Sequence, residues 1–307
     1  MKNIITILIL AVFVTACAEN VETGPSKDPF VGGTDGLIIS YEEDAPPAEV
    51  LDGGEFPFDV VVKLKNEGEA AITKDKVTVT ISGILASEFG KTEAGLSMGP
   101  EDDIEATRKD AEGTIVESNP AFVEFQGFNH VEELVGNTKF TLRADVCYNY
   151  MTTANSLMCV RINNLDTDEG VCVVNEDKEV FSSGAPIQVI NFKETARAKD
   201  KLAFTFTIAH KGNGLIFQQD TDCANERAQE DKIWVEVETG VAGLECLGLR
   251  DGAGATGYTI LYGDEKPITC TQTVATASDY EKPVVIRLMY DYKDSKEKSL
   301  LVKHSLG

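Results

Sequence analysis

The sequence predicts an all-β fold built as two tandem β-sandwiches, and three observations carry that expectation. Hydrophobic residues recur with a period of two from Leu37 onward, the runs return at regular intervals with turn residues between them, and the second half of the chain repeats the order of the first. A period of two sends alternate side chains to opposite faces, which is the pattern of a half-buried strand and not of a helix. Many short strands separated by turn signals indicate sandwiches. The 307 residues are enough for two domains, each with a substantial core.

The opening stretch is of a different kind. Met1-Lys2-Asn3 precedes a mostly aliphatic run from Ile4 to Val14, and Val14-Thr15-Ala16-Cys17 closes it. A positive start, a short apolar run and small residues before a cleavage point make a secretory signal peptide over residues 1–16. The run falls short of the about 20 residues that a membrane-spanning helix needs. The cysteine after Thr-Ala resembles the lipobox of secreted lipoproteins, which implies that Cys17 is lipidated and becomes the first mature residue. Val14 stands where that motif usually has Leu. The alternative is an ordinary signal peptide cut near Ala16 or Ala18. Residues 17–33 lack hydrophobic periodicity and carry Gly, Pro, Ser and charges, so they read as a flexible tether. As a random coil such a tether spans roughly 20–25 Å.

The first strand series occupies residues 34–170. Phe58, Val60, Val62 and Leu64 share one face of a strand, with Asp59, Lys63 and Lys65 on the other, and Asn66-Glu67-Gly68 turns the chain. Val77–Ile81 is a second strand. The period fades over residues 86–118, which predicts a long, partly ordered connection with a helical turn near Ile104–Lys109. Alternation returns at Ala121–Phe128 and Phe140–Tyr150, and Val171–Val174 reads as a short strand before the boundary. The second series occupies residues 186–307, with strands expected at Ile187–Lys193, Lys201–Ala209, Lys232–Glu238, Gly243–Leu249, Gly257–Tyr262, Ile268–Val274, Pro283–Tyr292 and Ser299–His304.

The two series match at both ends. Phe58–Leu64 followed by Asn66-Glu67-Gly68 parallels Leu202–Ile208 followed by Lys211-Gly212-Asn213-Gly214. Leu142–Tyr150 parallels Val284–Tyr292, each ending in a Tyr-x-Tyr pair before a polar stretch. Both are read as the first arm of a closing hairpin. A register centred on Thr153 sets Val146 against Val160 and Tyr148 against Met158 inside, and Cys147 against Cys159 outside. Directly opposed residues lie about 4.5–5.5 Å apart, within disulfide reach. Cys246 and Cys270 sit similarly around Tyr258. Cys172 and Cys223 then pair by elimination, a connectivity that the spacing leaves open. Six cysteines beyond Cys17, an even number in an exported chain, read as three disulfides.

These strand-then-Asn-Gly units at 58–68 and 202–214, with the Tyr-x-Tyr ends, resemble tandem immunoglobulin-type sandwiches of the kind called CARDB domains, found in archaeal and bacterial envelope proteins. The resemblance implies immunoglobulin-like domains with an adhesion or spacing role, and brings no catalytic residues with it. The long 86–118 segment and the additional cysteine pairs depart from the family pattern.

Net charge is −23, which disfavours nucleic acid and anionic lipid headgroups as partners. The three histidines, His130, His210 and His304, are scattered, without metal-binding spacing. No nucleophile elbow or phosphate loop is present. Asn164, Asp166 and Asp168 stand at alternate positions, as in a calcium loop, but Glu169 holds the place where the EF-hand pattern has Gly. Asp220 and Asp222 form a second acidic turn. Trp234, the only tryptophan, alternates outward from Ile233 and Val235, as a contact platform for sugar or protein would. The expectation is therefore a non-enzymatic, disulfide-bonded surface lipoprotein without a cofactor, anchored to the membrane through lipid. It would present two sandwiches to other envelope or extracellular proteins; the alternative is a ligand-binding module for calcium or carbohydrate.

Overall fold

A computed structural model describes residues 28–168, 170–224 and 226–305, and the fold is all-β. The signal peptide, Cys17 and the first part of the tether lie outside the described residues. In chain order the strands are β1 (Leu37–Tyr41), β2 (Glu49–Leu51), β3 (Phe58–Asn66), β4 (Val77–Ser82), β5 (Ser97–Met98), β6 (Arg108–Lys109), β7 (Ile115–Val116), β8 (Ala121–Phe128) and β9 (Thr138–Val160). There follow β10 (Asp177–Lys178), β11 (Val180–Ser182), β12 (Ile187–Ala198), β13 (Lys201–His210), β14 (Leu215–Phe217) and β15 (Lys232–Glu238). The series ends with β16 (Leu244–Leu247), β17 (Thr256–Ile260), β18 (Glu265–Thr273) and β19 (Tyr280–Lys303).

The alternation that marks β3 in the sequence places Phe58, Val60, Val62 and Leu64 in the core, and the same pattern in β13 buries Leu202, Phe204, Phe206 and Ile208. Burying each such side chain contributes about 1.5–3 kcal/mol. β3 is the centre of a three-stranded sheet, β1-β3-β8, and β13 the centre of a five-stranded one, β10-β12-β13-β18-β16. Both rest on a nine-stranded sheet with the path β17-β15-β19-β9-β4-β5.

That large sheet turns on β9 and β19, which pair antiparallel along their whole length, from Tyr280↔Val160 to Val302↔Thr138. Each runs through both halves of the molecule. The first part of β9 pairs with β4, and its last part with β11. The first part of β19 pairs with β15, and its last part runs parallel to β2. The sequence division at residues 170 and 186 is thus crossed in space by two strands, and one continuous hydrophobic core serves both halves.

This arrangement corrects the expected hairpins. Every even position of β9 from Leu142 to Val160 is buried, including the small polar Thr152 and Ser156. Thr152 donates from Oγ1 to the Ile187 carbonyl at 2.6 Å, and Ser156 to that of Glu179 at 2.7 Å, so the strand crosses the interior without reversing. Likewise the polar stretch after Tyr292 is the exposed middle of β19 and not a turn. The connection over 86–118 carries short 3₁₀ turns at Ala86–Phe89 and Glu93–Leu96. No helical turn forms near 104–109; Ile104 bridges to Ile72, and Arg108–Lys109 pairs with Ile115–Val116. Val171–Val174 is loop, not strand.

The two Tyr-x-Tyr pairs meet where β9 and β19 cross from one half to the other. Tyr148 lies opposite Tyr292, and Tyr150 opposite Tyr290. All four are buried, with ring centroids 5.5–6.4 Å apart around the group. Tyr150 donates its hydroxyl to Asn66 Oδ1 at 2.9 Å, and Tyr292 accepts from the Gly214 amide at 2.7 Å. The tyrosine pair and the Gly-rich turn, two separate features of the sequence repeat, are therefore one contact made twice. A Cβ on Gly68 would stand 2.0 Å from Tyr150 Oη, and one on Gly212 2.3 Å from Tyr292 Oη, which accounts for glycine at both places. Burial pushes the Tyr292 phenol up to about 12 and raises those of Tyr148, Tyr150 and Tyr290 as well.

Candidate functional site

The six cysteines that the structure describes form three disulfides. Cys246 pairs with Cys270 across β16 and β18, as expected, with a Cα separation of 4.0 Å. The other two differ from expectation. Cys147 pairs with Cys223, and Cys159 with Cys172, at Cα separations of 5.9 and 5.7 Å. Cys147 and Cys159 lie on one unbroken strand, so about 3.3 Å per residue puts them about 40 Å apart and beyond any bond. Each instead pins a loop over the outer face of the large sheet. Three disulfides place the described chain in an oxidising, extracytoplasmic setting. Among the described residues, no helix is long and apolar enough to cross a membrane.

Both acidic loops carry internal partners. In the first, the Arg161 guanidinium reaches back into the turn, donating to the Asp168 carbonyl at 2.9 Å and to the Asp168 carboxylate at 2.5 Å. It also donates to Asp279 at 3.2 Å and to the Asp166 carbonyl at 3.4 Å. Asn164 uses both ends of its amide, accepting from the Arg161 backbone and donating to the Lys199 carbonyl. Of the side-chain oxygens expected to face calcium, that of Asp168 meets this built-in cation, that of Asp166 accepts from the Asn163 amide at 2.5 Å, and that of Asn164 is taken by the backbone. In the second loop, Asp220 pairs with Lys76 at 2.7 Å. The Asp220 and Thr221 amides donate to the buried carboxylate of Asp291, while Asp222 lies beside the Cys147–Cys223 bond. Among the described residues no group of three or more His, Cys, Asp or Glu is placed to hold a metal.

Trp234 is half-buried on β15. Its ring meets that of Tyr258 at 4.7 Å and 73°, and its Nε1 donates to Glu236 at 3.0 Å. The expected open platform is therefore partly occupied by neighbouring side chains. The histidines are structural in their contacts: His130 packs against Phe89, His210 bonds to Tyr292 Oη at 3.0 Å, and His304 bonds to Asp52 at 2.9 Å. Burial lowers the His210 pKa. The Ser305 amide, His304 and the Leu134 amide hold the Asp52 carboxyl well below the usual carboxylate range.

A different region presents an open strand edge beside acidic side chains, and composition had marked it only as acidic. Among the described residues, β8 ends the three-stranded sheet and pairs with β3 alone. Along Ala121–Gln126 runs a cleft of about 750 Å³ whose opposite wall is the segment Met98–Glu105. Glu101, Asp102, Asp103, Glu105 and Glu124 line it, and no Lys or Arg does. Met98 and Phe122 are 41% and 46% exposed there, giving the acidic cleft two apolar footholds. The signal in the sequence was the loss of periodicity over 86–118 next to a clean strand, since a connection that does not pair leaves its neighbour's edge open.

No protein-family model matches the chain, and no curated protein does.

Proposed function

We propose that the chain is a non-enzymatic surface lipoprotein, anchored through lipid on Cys17, that presents two immunoglobulin-like halves for binding another extracytoplasmic protein. The observation that carries this reading is the free edge of β8 beside a large cleft, in a molecule whose other candidate sites are at least partly occupied by their own side chains. An unpaired strand edge offers a row of amide and carbonyl groups to another chain, and folds normally cover or blunt it. The resemblance to CARDB domains supports the same role of adhesion or envelope assembly. The crossing strands and disulfides favour a stiff spacer held off the membrane by a short tether.

Two measurements test the proposal. Metabolic labelling with a fatty acid should mark the native chain and not Cys17→Ser, which should pass from the detergent phase to the aqueous phase. A photo-crosslinking residue at Phe122 should give a defined adduct on intact cells, whereas one at Glu281, remote from the cleft in sequence and exposed on β19, should not. An unlabelled native chain would remove the anchor, and equal adducts from both positions would remove the binding surface.

A further inference from the structure

The second half of the molecule contains the counterpart of the open edge, already covered. β3 and β13 align through the repeat, and their partners β8 and β18 occupy the same place beside them: Val62 faces Val123, and Phe206 faces Ile268. On β18 the outer edge is taken by β16, antiparallel from Leu244↔Gln272 to Leu247↔Thr269 and fastened by Cys246–Cys270. β16 comes from the connection between β15 and β17. In the first half the connection between β4 and β5 makes no such strand. It coils into 3₁₀ turns, buries Phe89, and meets β8 only towards its end: Lys91 donates to the Gln126 carbonyl, and just past the strand the Asn129 and Val131 amides donate to the Phe89 and Glu88 carbonyls. Among the described residues no strand fills the corresponding edge in the other half over Ala121–Phe125, and Lys91 closes its end at Gln126.

We infer that this edge takes an added antiparallel strand from a partner protein, and that the strand is an extended cationic segment. The geometry supplies the strand: a sheet edge with a cleft along it is the arrangement in which main-chain bonds give affinity and alternate side chains give specificity. The charge selects the sign. Glu101, Asp102, Asp103 and Glu105 on the far wall and Glu124 on β8 itself line the space with no basic residue among the lining; Lys74, behind that wall, donates its amide to Asp103 and its ammonium to the Glu101 carbonyl. Met98 and the part of Phe122 not covered by the Lys63 ammonium, 6.0 Å from its ring centroid, offer contact to an apolar residue between the cationic ones. A second copy of this chain is a poor occupant, because its net charge of −23 opposes the approach. The inference deepens the proposed interaction role and rests on it for its cellular setting, but not on the anchor.

The test uses the purified full chain and a fluorescein-labelled decapeptide of alternating Lys and Val, followed by anisotropy at 0.15 M salt. Saturable one-to-one binding is expected, with slowed amide exchange over 121–126. Joint replacement Glu101→Gln, Asp102→Asn, Asp103→Asn and Glu105→Gln should weaken binding about tenfold. An equal charge change elsewhere, by Glu112→Gln, Glu133→Gln, Glu230→Gln and Glu281→Gln, should weaken it by less than about twofold. The same peptide with alternate backbone nitrogens methylated keeps its charge but cannot pair with the edge, and should lose at least about tenfold. Equal weakening by the two sets of replacements, undiminished binding of the methylated peptide, or no binding at all would overturn the inference. In the last case the acidic wall is a guard against strand pairing. A Phe122 adduct on cells combined with no peptide binding would overturn the cationic strand while leaving the wider interaction role intact.

Discussion

Replacing Glu194 by Gln should stabilise the protein at pH 8 while leaving it nearly unchanged at pH 4. The side chain is fully buried at the end of β9, beside the Cys159–Cys172 bond. Its two oxygens share one backbone donor, the Cys159 amide, at 2.9 and 3.1 Å. The nearest cation, the Lys178 ammonium, is 3.7 Å away and already donates to the Val173 carbonyl and to Glu176. Burial therefore dominates and pushes the carboxyl from 4.5 up to about 8, with the amide and the lysine offsetting only part. Below the unfolded value the group is protonated in both states. As pH rises from 4.5 towards 8 the unfolded chain releases its proton and the folded chain keeps it, so stability falls through that window and levels off above it. At about 1.4 kcal/mol per unit, the whole loss is on the order of 5 kcal/mol. Gln has nearly the same shape, retains an acceptor for the Cys159 amide, and does not titrate. Urea unfolding of both proteins with disulfides intact, at half-unit steps from pH 4 to 9, gives the difference directly. It should climb by about 3–5 kcal/mol in favour of the variant between pH 5 and 8. A flat difference would mean that Glu194 is ionised in the fold without penalty, and the burial argument would be wrong. Asp52 cannot mimic the effect, because a carboxyl with a lowered pKa contributes stability that is lost only on acidification.

Three further outcomes follow from the same contacts. Peptide mapping without reduction should recover Cys147 joined to Cys223 and Cys159 joined to Cys172, and the double change Cys147→Ser with Cys223→Ser should cost about 4 kcal/mol by freeing a loop with a sequence separation of 76; a Cys147–Cys159 peptide would overturn the unbroken β9. Gly68→Ala drives a Cβ against Tyr150 Oη and the Gly184 carbonyl and should lower stability by about 3 kcal/mol, with part recovered when Tyr150→Phe is added; an unchanged urea midpoint would show that the turn gives way. Calcium at about 5 mM should move the melting temperature by less than about 1 °C, since Arg161 already holds the Asp168 oxygens and Asn163 the Asp166 carboxylate; a shift of several degrees would mean that these partners are displaced.

Alternation along β3, β4, β8 and β13 made the strands legible, because side-chain parity is a local property and burial enforces it residue by residue. Chain direction is not local in that sense. Tyr148 and Met158 fall on the same face whether the chain reverses at Thr153 or continues straight, so the even-numbered pattern of 142–160 fits a hairpin and a long strand equally well. The cysteines then inherited the choice: a reversal sets Cys147 beside Cys159, and a straight strand sends each to a loop elsewhere. What separates the two is turn chemistry. Met151-Thr152-Thr153-Ala154 contains no Gly, Asn or Asp to take the positive φ that a tight hairpin requires. Parity states which face a residue occupies, and only the residues able to turn state where the chain comes back. The open edge of β8 was hidden for the same reason, since it is defined by the failure of the 86–96 connection to pair, and a strand that does not form has no period to read. Comparing the halves exposes it: one repeat carries Cys246 and a strand at that edge, and the other carries Phe89 in a 3₁₀ turn and leaves the edge to a partner.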